Sequence, residues 1–481
     1  MRALAYDPAA NPVNGISARR SHRYVSAQNG FVEADPERLF GMVVECVDEA
    51  LAQAATSGAA FEGVSLCTFW HGLVGVRSGG DVTTPILTWA DTRAASQAER
   101  LKRDLDAEAV RQLTGCALHP SYFPSKLAWW REVEPEVFAR VDWWCTMGEL
   151  CHQRFFGTRR CSYSMASGSG LLDRAALKWD PELLRVLRVP PARLSELCDL
   201  DAPSRGLVET FAARWPALKD VPWFPALGDG ACSNIGCEAG RRPVLMIGTT
   251  GAFRIVRERP QTGPRVPVPP GLWGYLLDRT RLLLGGVLGD GGNLAEWMSG
   301  TLALGNDKDG IDEALLAASP AGHGLTVLPF LTGERSTGWN PLARGAVIGL
   351  RPHTSGLDIL QAGLEAVAYR FAAVKERLRE AAPVDAQVIA TGGALIASGA
   401  WCQIIADVLE LPVALSPVEE ASSRGAALLA LEALGKADTR SGTAVSPVSR
   451  TFFPRPGTAA LHRKAREEQE RLNRAIYGTS S

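Results

Sequence analysis

Apolar and polar positions along the chain change period from one segment to the next, which predicts alternating helices and strands. Between 356 and 381 apolar side chains recur every three or four residues, as on one face of an amphipathic helix. The run QVIATGG, a helical stretch over 400–409 and the run LPVAL follow in that order. A strand, a Gly loop, a helix and a second strand form the β–loop–α–β unit of a parallel sheet. This part of the chain therefore predicts an α/β fold.

Shorter signals predict the elements elsewhere. Asp35 and Pro36 have the residue types of an N-cap and a first helical residue, and one apolar face follows them. The run GVSLCTFW at 63–70 predicts a buried strand. Further helices are predicted over 97–114, 126–156, 422–434 and 458–476.

The pattern starts again near residue 240, where short apolar runs stand at hairpin spacing. A chain of 481 residues is too long for one core. We therefore expect one domain over 1–240, a second over 241–455 and a helical tail over 456–481, with a ligand cleft between the two domains.

The composition limits the classes of binding partner that we expect for this protein. The apolar fraction is 46% and the charged fraction 21%, and 51 basic residues face 52 acidic ones. This balance gives no sign of a nucleic-acid or anionic-membrane surface, and no run approaches the ~18 apolar residues of a membrane-spanning helix. The ten cysteines stand singly without C-x-x-C, which favours reduced, mostly buried thiols in the cytoplasm. No set of metal ligands is predicted.

Gly248, Thr249, Thr250 and Gly251 end a strand-like run, LMIG. Backbone N–H groups and two hydroxyls at such a turn suit phosphate oxygens. A plain hairpin turn with solvated threonines fits equally well. Neither a P-loop nor a dinucleotide fingerprint is present.

Asp229 lies between two glycines after an apolar run. A carboxylate at this kind of turn can accept a hydroxyl proton and so activate a phosphoryl acceptor. An acid that only closes an Asx-turn is the commoner local explanation.

Trp89, Asp91 and Arg93 alternate after the run ILT. On one side of an extended segment they would offer an aromatic face, an acceptor and a fork of donors to a polyol. The alternative is that Asp91 caps a helix over 92–103 and pairs with Arg93. His71 could donate to substrate oxygens, although a satisfied core histidine is more usual.

Two further motifs have a structural and a functional interpretation. Gly392 and Gly393 stand between a strand and a helix, where they could admit adenine or ribose or simply allow tight packing. Glu334 and Arg335 are adjacent in the LTGERS turn, and a structural ion pair between them is the favoured interpretation.

Taken in order, these segments resemble the FGGY carbohydrate kinases over nearly the whole chain. The family pattern has W-x-D-x-R, then G-D-x-x-x-x-x-x-G, then G-T-S/T-G, then LPYLxGERxPxxDPxARG, and last a Gly loop with W-x-Q-x-x-A-D. The matching segments here are 89–93, 228–236, 248–251, 328–345 and 392–407. Around LTWADTRA and SYSMASGSGLLD the chain looks most like gluconate kinases.

The resemblance implies two actin-like, ribonuclease-H-like domains that close on ATP and a sugar, with Mg²⁺-dependent phosphoryl transfer to a primary hydroxyl. It implies that Asp229 takes the hydroxyl proton and that His71, Trp89, Asp91 and Arg93 lie on the sugar side. The nucleotide side carries the remaining implied positions, which are Gly248, Thr249, Thr250, Gly251, Gly292, Gly392 and Gly393. The expected substrate is D-gluconate, which becomes 6-phosphogluconate, and Arg93 or Lys126 would meet its carboxylate. A homodimer is an open expectation.

Departures from the family pattern leave alternatives open. The family opens with a strand and a D-x-G-T-T/S loop, whereas this sequence begins at Met1-Arg2-Ala3-Leu4. Either the start was placed too far downstream, or the product is a sugar-binding pseudokinase. Asp290 stands where relatives often carry Asn, which puts a further negative charge near the phosphates. A ketopentose kinase is the third alternative.

Overall fold

The computed structural model describes residues 1–26, 30–260, 265–379, 381, 387–440 and 448–478. Its strands and helices divide the chain near residue 240, because a helix over Asp229–Gly236 ends the first half and the large sheet begins at Val244. The boundary at 240 itself stays a prediction.

The first half contains many short strands and ten α-helices within the described residues. Its strands are β1 Arg2–Tyr6, β2 Pro12–Arg19, β3 Val25–Ser26, β4 Val32–Ala34, β5 Cys67–Thr68, β6 Val74–Val76, β7 Ile86–Leu87, β8 Trp143–Cys145, β9 Arg160–Ser162, β10 Leu172–Asp173, β11 Lys178–Trp179, β12 Glu196–Cys198 and β13 Leu227–Gly228. Its helices are α1 Pro36–Ser57, α2 Ala95–Asp104, α3 Ala107–Thr114, α4 Phe123–Val133, α5 Pro135–Arg140, α6 Met147–Phe156, α7 Tyr163–Ser167, α8 Pro181–Leu187, α9 Glu209–Arg214 and α10 Asp229–Gly236. Two 3₁₀ turns occupy Pro191–Arg193 and Pro216–Leu218.

The second half is built on one larger sheet. Its strands are β14 Val244–Ile247, β15 Gly251–Glu258, β16 Trp273–Leu276, β17 Arg281–Leu288, β18 Thr326–Leu328, β19 Ala346–Ile348, β20 Val388–Thr391, β21 Val413–Leu415 and β22 Arg450–Phe452. Its helices are α11 Gly292–Thr301, α12 Lys308–Ala317, α13 Gly356–Leu378, α14 Gly393–Ile396, α15 Gly399–Leu409, α16 Ala421–Ala433 and α17 Thr458–Tyr477.

Seven strands form that sheet in the order β16-β17-β15-β14-β20-β21-β22. The three neighbours β14, β20 and β21 run parallel, and the other pairs are antiparallel. The parallel centre confirms the predicted β–loop–α–β unit, since β20, α15 and β21 follow one another in sequence. Helix α13 packs its buried face on this sheet and nearly matches the predicted 356–381.

Strands of the first half lie in sheets of two or three. The pair that matters for function is β5 and β13, which run parallel with Leu227 beside Cys67 and Gly228 beside Thr68. This pairing sets the residues after both strands, Trp70 and Asp229, side by side. The strand predicted over 63–70 is therefore real but shorter, with a single bridge from Val64 to Trp223 before it.

Two predicted helices are wrong in their extent. The segment 97–114 breaks into α2 and α3, because Asp106 accepts a hydrogen bond from the Ala109 amide and begins a new helix. The segment 126–156 is interrupted by β8, which pairs antiparallel with β6.

The other helices agree with the predictions. Asp35 caps α1 through the amides of Glu37 and Arg38. The predicted tail helix is α17, and it docks on the second half through Gln469, whose amide donates to the carbonyls of Val327 and Ala366. No helix within the described ranges is long and apolar enough to cross a bilayer.

The two halves share a core. One apolar cluster joins Trp70 and Tyr122 of the first half to Trp273 and Tyr275 of the second half. Helices α10 and α16 also meet backbone to backbone, and a Cβ at Gly236 or Gly425 would clash with the main chain of the other helix. The helix that begins with Asp229 is thus anchored against the second half.

Candidate active site

Asp229 is the first residue of α10 and directly follows β13. Its Oδ1 accepts a hydrogen bond from the Gly230 amide at 2.7 Å. The glycines on both sides are required by packing, since a Cβ at Gly228 or Gly230 would clash with the Trp70 ring. The carboxylate is half-buried at the start of a helix, where the helix dipole favours a negative charge.

Two opposing effects set the pKa of Asp229. Burial raises it above the ordinary value for an aspartate, and the nearby Arg254 guanidinium lowers it. Arg254 belongs to β15 of the second half and is buried, and its Nε and Nη2 have no partner among the described residues. A carboxylate of the first half and an incompletely bonded guanidinium of the second half therefore interact electrostatically.

An aromatic wall lies beside Asp229. The Trp70 ring stacks on His71 with centroids 6.3 Å apart, and Trp70 Nε1 donates to the Ser164 carbonyl at 3.0 Å. The Tyr122 and Tyr275 hydroxyls are hydrogen-bonded at 2.6 Å, which joins the two halves again. Flat aromatic faces of this kind suit the C–H faces of a sugar.

His71 is buried, and its Nδ1 lies 2.6 Å from the Gly168 carbonyl. Because a carbonyl only accepts, Nδ1 carries the proton and Nε2 keeps its lone pair. Burial first, and the charge of Arg335 second, hold the pKa of His71 well below its ordinary value. A neutral His71 can therefore accept a hydrogen bond through Nε2.

The W-x-D-x-R segment places its charged members together. Asp91 accepts hydrogen bonds from the Val32 amide at 2.8 Å and from Arg93 Nη2 at 2.7 Å. Arg93 also pairs with Glu33 and lies 3.8 Å from the Phe31 ring centre. Asp91 does not cap α2, because that helix begins at Ala95 without a side-chain cap. Both charges are thus satisfied by their neighbours in this conformation.

Lys126 was one of two residues expected to bind the substrate carboxylate. In the structure it makes other contacts. Its ammonium donates to the carbonyls of His71, Leu87 and Thr88 at 2.5, 3.1 and 2.8 Å. An ammonium has three donors, so none remains for a substrate. Burial lowers the pKa of Lys126 to about 7. The expectation for Lys126 is therefore wrong, and its role is to hold three main-chain carbonyls near His71 in place.

The predicted nucleotide glycines converge at one end of the large sheet. The Gly292 amide donates to the Gly248 carbonyl at 2.8 Å, and a Cβ on Gly292 would clash with that same oxygen. A Cβ on Gly392 would clash with the Ile247 backbone, whereas Gly393 has nothing within 4 Å of its own Cβ position. Three separate segments are thus brought together as a cradle of bare backbone.

Thr249 is exposed at the tip of the β14–β15 turn. The turn is closed by the Gly248 amide, which donates to the Thr250 carbonyl at 3.0 Å, and the Asn293 amide donates to the Thr249 carbonyl at 3.1 Å. Neither threonine hydroxyl has a hydrogen-bond partner within the described part of the chain. These groups are available to phosphate oxygens.

Asp290 holds two loops together. It accepts hydrogen bonds from Asn293 Nδ2 at 2.6 Å, the Thr332 amide at 3.0 Å and the Thr332 hydroxyl at 3.1 Å. Burial nevertheless raises its pKa. The Asp290 carboxylate, which was expected near the phosphates, is thus hydrogen-bonded to Thr332 of the LTGERS segment.

The Glu334–Arg335 ion pair expected from their adjacency is wrong. Glu334 pairs with Arg370 and accepts from the Gly338 amide at 3.1 Å. The Arg335 guanidinium instead lies between the rings of Trp89 and Trp339, 5.8 Å from each centre. No cluster of three His, Cys, Asp or Glu side chains suited to a metal occurs within the described residues.

Arg254 and Arg335 are the site residues that sequence reasoning missed. A signal existed for Arg254, because it interrupts the otherwise apolar strand GAFRIV. A buried strand rarely carries an unpaired charge without a functional reason. Arg335 carried no such signal, since an adjacent glutamate offered it a local partner.

Comparison with known proteins agrees with this architecture. The N-terminal domain family of FGGY carbohydrate kinases matches residues 1–236, and the C-terminal domain family matches residues 244–434. The chain belongs to the FGGY family of carbohydrate kinases, and it is a phosphotransferase with the two-domain fold of that family.

Individual relatives differ in the sugar that their names state. A gluconokinase from Bacillus subtilis (strain 168) is 28% identical over 421 residues, which are 85% of this chain and 80% of the relative. Crystal structures of a gluconate kinase and of a ligand-bound xylulose kinase, both from Lactobacillus acidophilus, superpose with a TM-score of 0.90. Both are 25% identical, and each comparison covers 100% of this chain and 96% of the other.

Proposed function

We propose that the protein transfers the γ-phosphoryl group of ATP to D-gluconate and forms 6-phosphogluconate. The observation that carries the proposal is that Asp229 precedes Gly230, which packs against both Trp70 of its own half and Arg254 of the other half, and that the Arg254 charge acts on Asp229. A carboxylate at such a junction can meet a sugar hydroxyl from one side and a phosphate from the other. The gluconokinase among the relatives supports gluconate as the acceptor.

In the proposed reaction Asp229 accepts the proton of the terminal hydroxyl. The hydroxyl oxygen forms a bond to the γ-phosphorus while the bond from that phosphorus to the bridging oxygen breaks, and ADP leaves. Arg254 stabilises the negative charge that gathers on the transferring group, and its unpartnered N–H groups supply the donors. His71 accepts a sugar hydroxyl through Nε2, and Trp89, Asp91 and Arg93 form the sugar side with it.

The glycine cradle fits a nucleotide. Gly292 and Gly392 let backbone segments pack together where a side chain would clash, and Gly393 has open space at its Cβ position. We place the β- and γ-phosphates at Gly248 to Gly251 and the adenosine beside Gly292 and Gly393. Mg²⁺, which enzymes of this kind hold largely through the nucleotide phosphates, would neutralise phosphate charge.

The location and assembly remain part of the proposal. All ten cysteines are free thiols, and nine of them are buried. Thiols in this state suit a reducing compartment, so we assign the enzyme to the cytoplasm. The homodimer stays an open expectation, and light scattering of the purified protein tests it.

A substrate panel tests the proposed function. The full-length protein is assayed for ADP release with ATP and Mg²⁺ in the presence of D-gluconate, D-xylulose, D-ribulose or glycerol. We expect the highest kcat/KM with D-gluconate. A higher kcat/KM with D-xylulose or D-ribulose would instead identify a ketopentose as the substrate. The xylulose kinase from Lactobacillus acidophilus has the same fold and superposes as well as the gluconate kinase does. Absence of turnover with all of them would overturn the kinase assignment.

A further inference from the structure

Arg335 is a cation whose binding capacity is unused. Its Nε is buried without a hydrogen-bond partner, and it takes part in no salt bridge among the described residues. The adjacent Glu334 cannot serve it, because that carboxylate is taken by Arg370. A guanidinium presents five N–H donors in a planar fork, and buried donors left unbonded are destabilising. The arrangement therefore calls for an anionic ligand.

The guanidinium lies where the two halves meet. Its Cζ is 5.8 Å from the ring centre of Trp89 in the first half and 5.8 Å from that of Trp339 in the second half. The Trp339 ring in turn lies 5.1 Å from the His119 ring. Aromatic faces attract a cation without using its hydrogen bonds. They orient Arg335 and leave its donors for a ligand.

The backbone behind Arg335 is fixed. The Ser336 amide donates to the Val287 carbonyl at 2.9 Å, and the Val287 amide donates to the Ser336 hydroxyl at 3.1 Å. On the other side, Trp339 Nε1 donates to the Gly271 carbonyl at 2.8 Å. The arginine thus projects from a loop tied to the central sheet, and little ordering is needed when a ligand binds.

Arg335 and Arg254 act on different parts of the site. The charge of Arg335 acts on His71 and His119, where it adds to burial in lowering their pKa values. The main cation acting on Asp229 is Arg254. A sugar acid has the same polarity, with a terminal hydroxyl at one end of its chain and a carboxylate at the other. With the hydroxyl end at Asp229, the carboxylate end would lie near the Trp89 and Trp339 rings that neighbour Arg335.

We propose that Arg335 binds the carboxylate of the substrate and makes the site selective for sugar acids over neutral sugars. The inference rests on the proposed function and narrows the substrate class to aldonic acids. Arg335 replaces Arg93 and Lys126 in this role, because both of those cations are already paired or hydrogen-bonded. A bidentate guanidinium–carboxylate pair would supply both affinity and orientation.

The test compares D-gluconate with D-gluconamide, which keeps every hydroxyl and lacks the charge. For the wild type we expect a lower KM for gluconate than for gluconamide. Arg335→Gln should raise the gluconate KM by about 10- to 100-fold, as expected for loss of a charge-assisted pair. The KM for gluconamide should change far less, because that substrate has no carboxylate to pair with Arg335. Arg335→Lys should fall between the wild type and Arg335→Gln.

Arg471→Gln is the matched control, since Arg471 is an exposed helical arginine that pairs with Glu468. It removes the same charge and should change neither KM. The inference about Arg335 would be overturned if Arg335→Gln raised the KM for both substrates equally or left the gluconate KM unchanged. Either result would leave the proposed function intact. A wild type that phosphorylates neither substrate would instead remove the proposed function and the inference with it. Thermal unfolding of each variant shows whether it is folded.

Discussion

At the scale of single residues, Asp229 is subject to two opposing influences. Burial raises its pKa, and the Arg254 guanidinium lowers it. A general base must be ionised to accept a proton, so its pKa has to stay below the working pH. In the proposed reaction Arg254 would have two functions, because its charge lowers the pKa of Asp229 and its unpartnered donors would bind the transferring phosphoryl group.

The pH dependence of the reaction tests this relation. A protonated Asp229 cannot accept the hydroxyl proton. The kcat/KM of the enzyme should therefore fall as pH decreases through the raised pKa of Asp229. Arg254→Met removes the cation that lowers this pKa, and the acid limb should move to higher pH while kcat falls. The measurement is the pH profile of kcat/KM, with Arg471→Met as a control whose acid limb should not move. If the acid limb of Arg254→Met stays in place or moves to lower pH, the proposed role of Arg254 is contradicted.

The sequence was informative about residues whose meaning is local. Asp229 between glycines and the Gly248 to Gly251 turn could be chosen as candidate site residues because both follow strands directly. Arg335 could not, because its neighbour Glu334 turns toward Arg370 and the partners of Arg335 come from residues 89 and 339. Lys126 was misjudged for a related reason, since three distant carbonyls surround it.

At the scale of elements, the proposed nucleotide side consists of strand ends that meet at glycines. Gly392 adopts a φ of +101° and leaves no room for a Cβ against the Ile247 backbone. Its neighbour Gly393 begins α14 with nothing within 4 Å of a Cβ. Packing therefore requires the first glycine, and only a ligand would require the second.

Two single substitutions separate these requirements. Gly392→Ala should lower the thermal unfolding midpoint, because alanine is strained at a positive φ and clashes with backbone. Gly393→Ala should leave the midpoint unchanged and raise the KM for ATP, because its methyl group would enter the nucleotide space. Calorimetry and initial rates measure both effects. If Gly393→Ala binds ATP as the wild type does, the nucleotide lies elsewhere.

Element prediction worked where one period extended over a long segment. Helix α13 was predicted almost to its ends because its apolar face recurs over more than five turns. The segment 126–156 was misread because β8, WWC, is too short to show a strand period and is a strand only through pairing with β6. Tertiary pairing of this kind has no local signal.

At the scale of the whole molecule, the helix that begins with Asp229 lies in the first half and packs against the second half. Helix α10 begins at Asp229 and packs backbone to backbone on α16 at Gly236 and Gly425. Arg424 strengthens this joint by donating to the Gly236 carbonyl at 2.7 Å and pairing with Glu238. A substitution at this contact between α10 and α16 should therefore alter the candidate active site by shifting α10.

Gly425→Ala tests this coupling. Its methyl group would meet the Cys232 carbonyl, and overpacking of this kind destabilises by about 1–3 kcal/mol. We expect a lower free energy of unfolding together with a lower kcat, because Asp229 shifts. Gly41→Ala is the matched control in α1, where nothing lies within 4 Å of the Cβ. Alanine should stabilise that helix by up to about 1 kcal/mol without changing kcat. A Gly425→Ala enzyme with wild-type kcat would show that the joint and the chemistry are independent.

The central claim is that Asp229 takes the proton from the terminal hydroxyl of a sugar acid while ATP is held by the second half. The most direct measurement is the rate of 6-phosphogluconate formation from ATP and D-gluconate, followed by phosphorus NMR, for the wild type and Asp229→Asn. We expect product with the wild type and a loss of about 10²- to 10⁴-fold in kcat for a folded Asp229→Asn. A folded Asp229→Asn enzyme that forms the product at the wild-type rate would contradict the central claim.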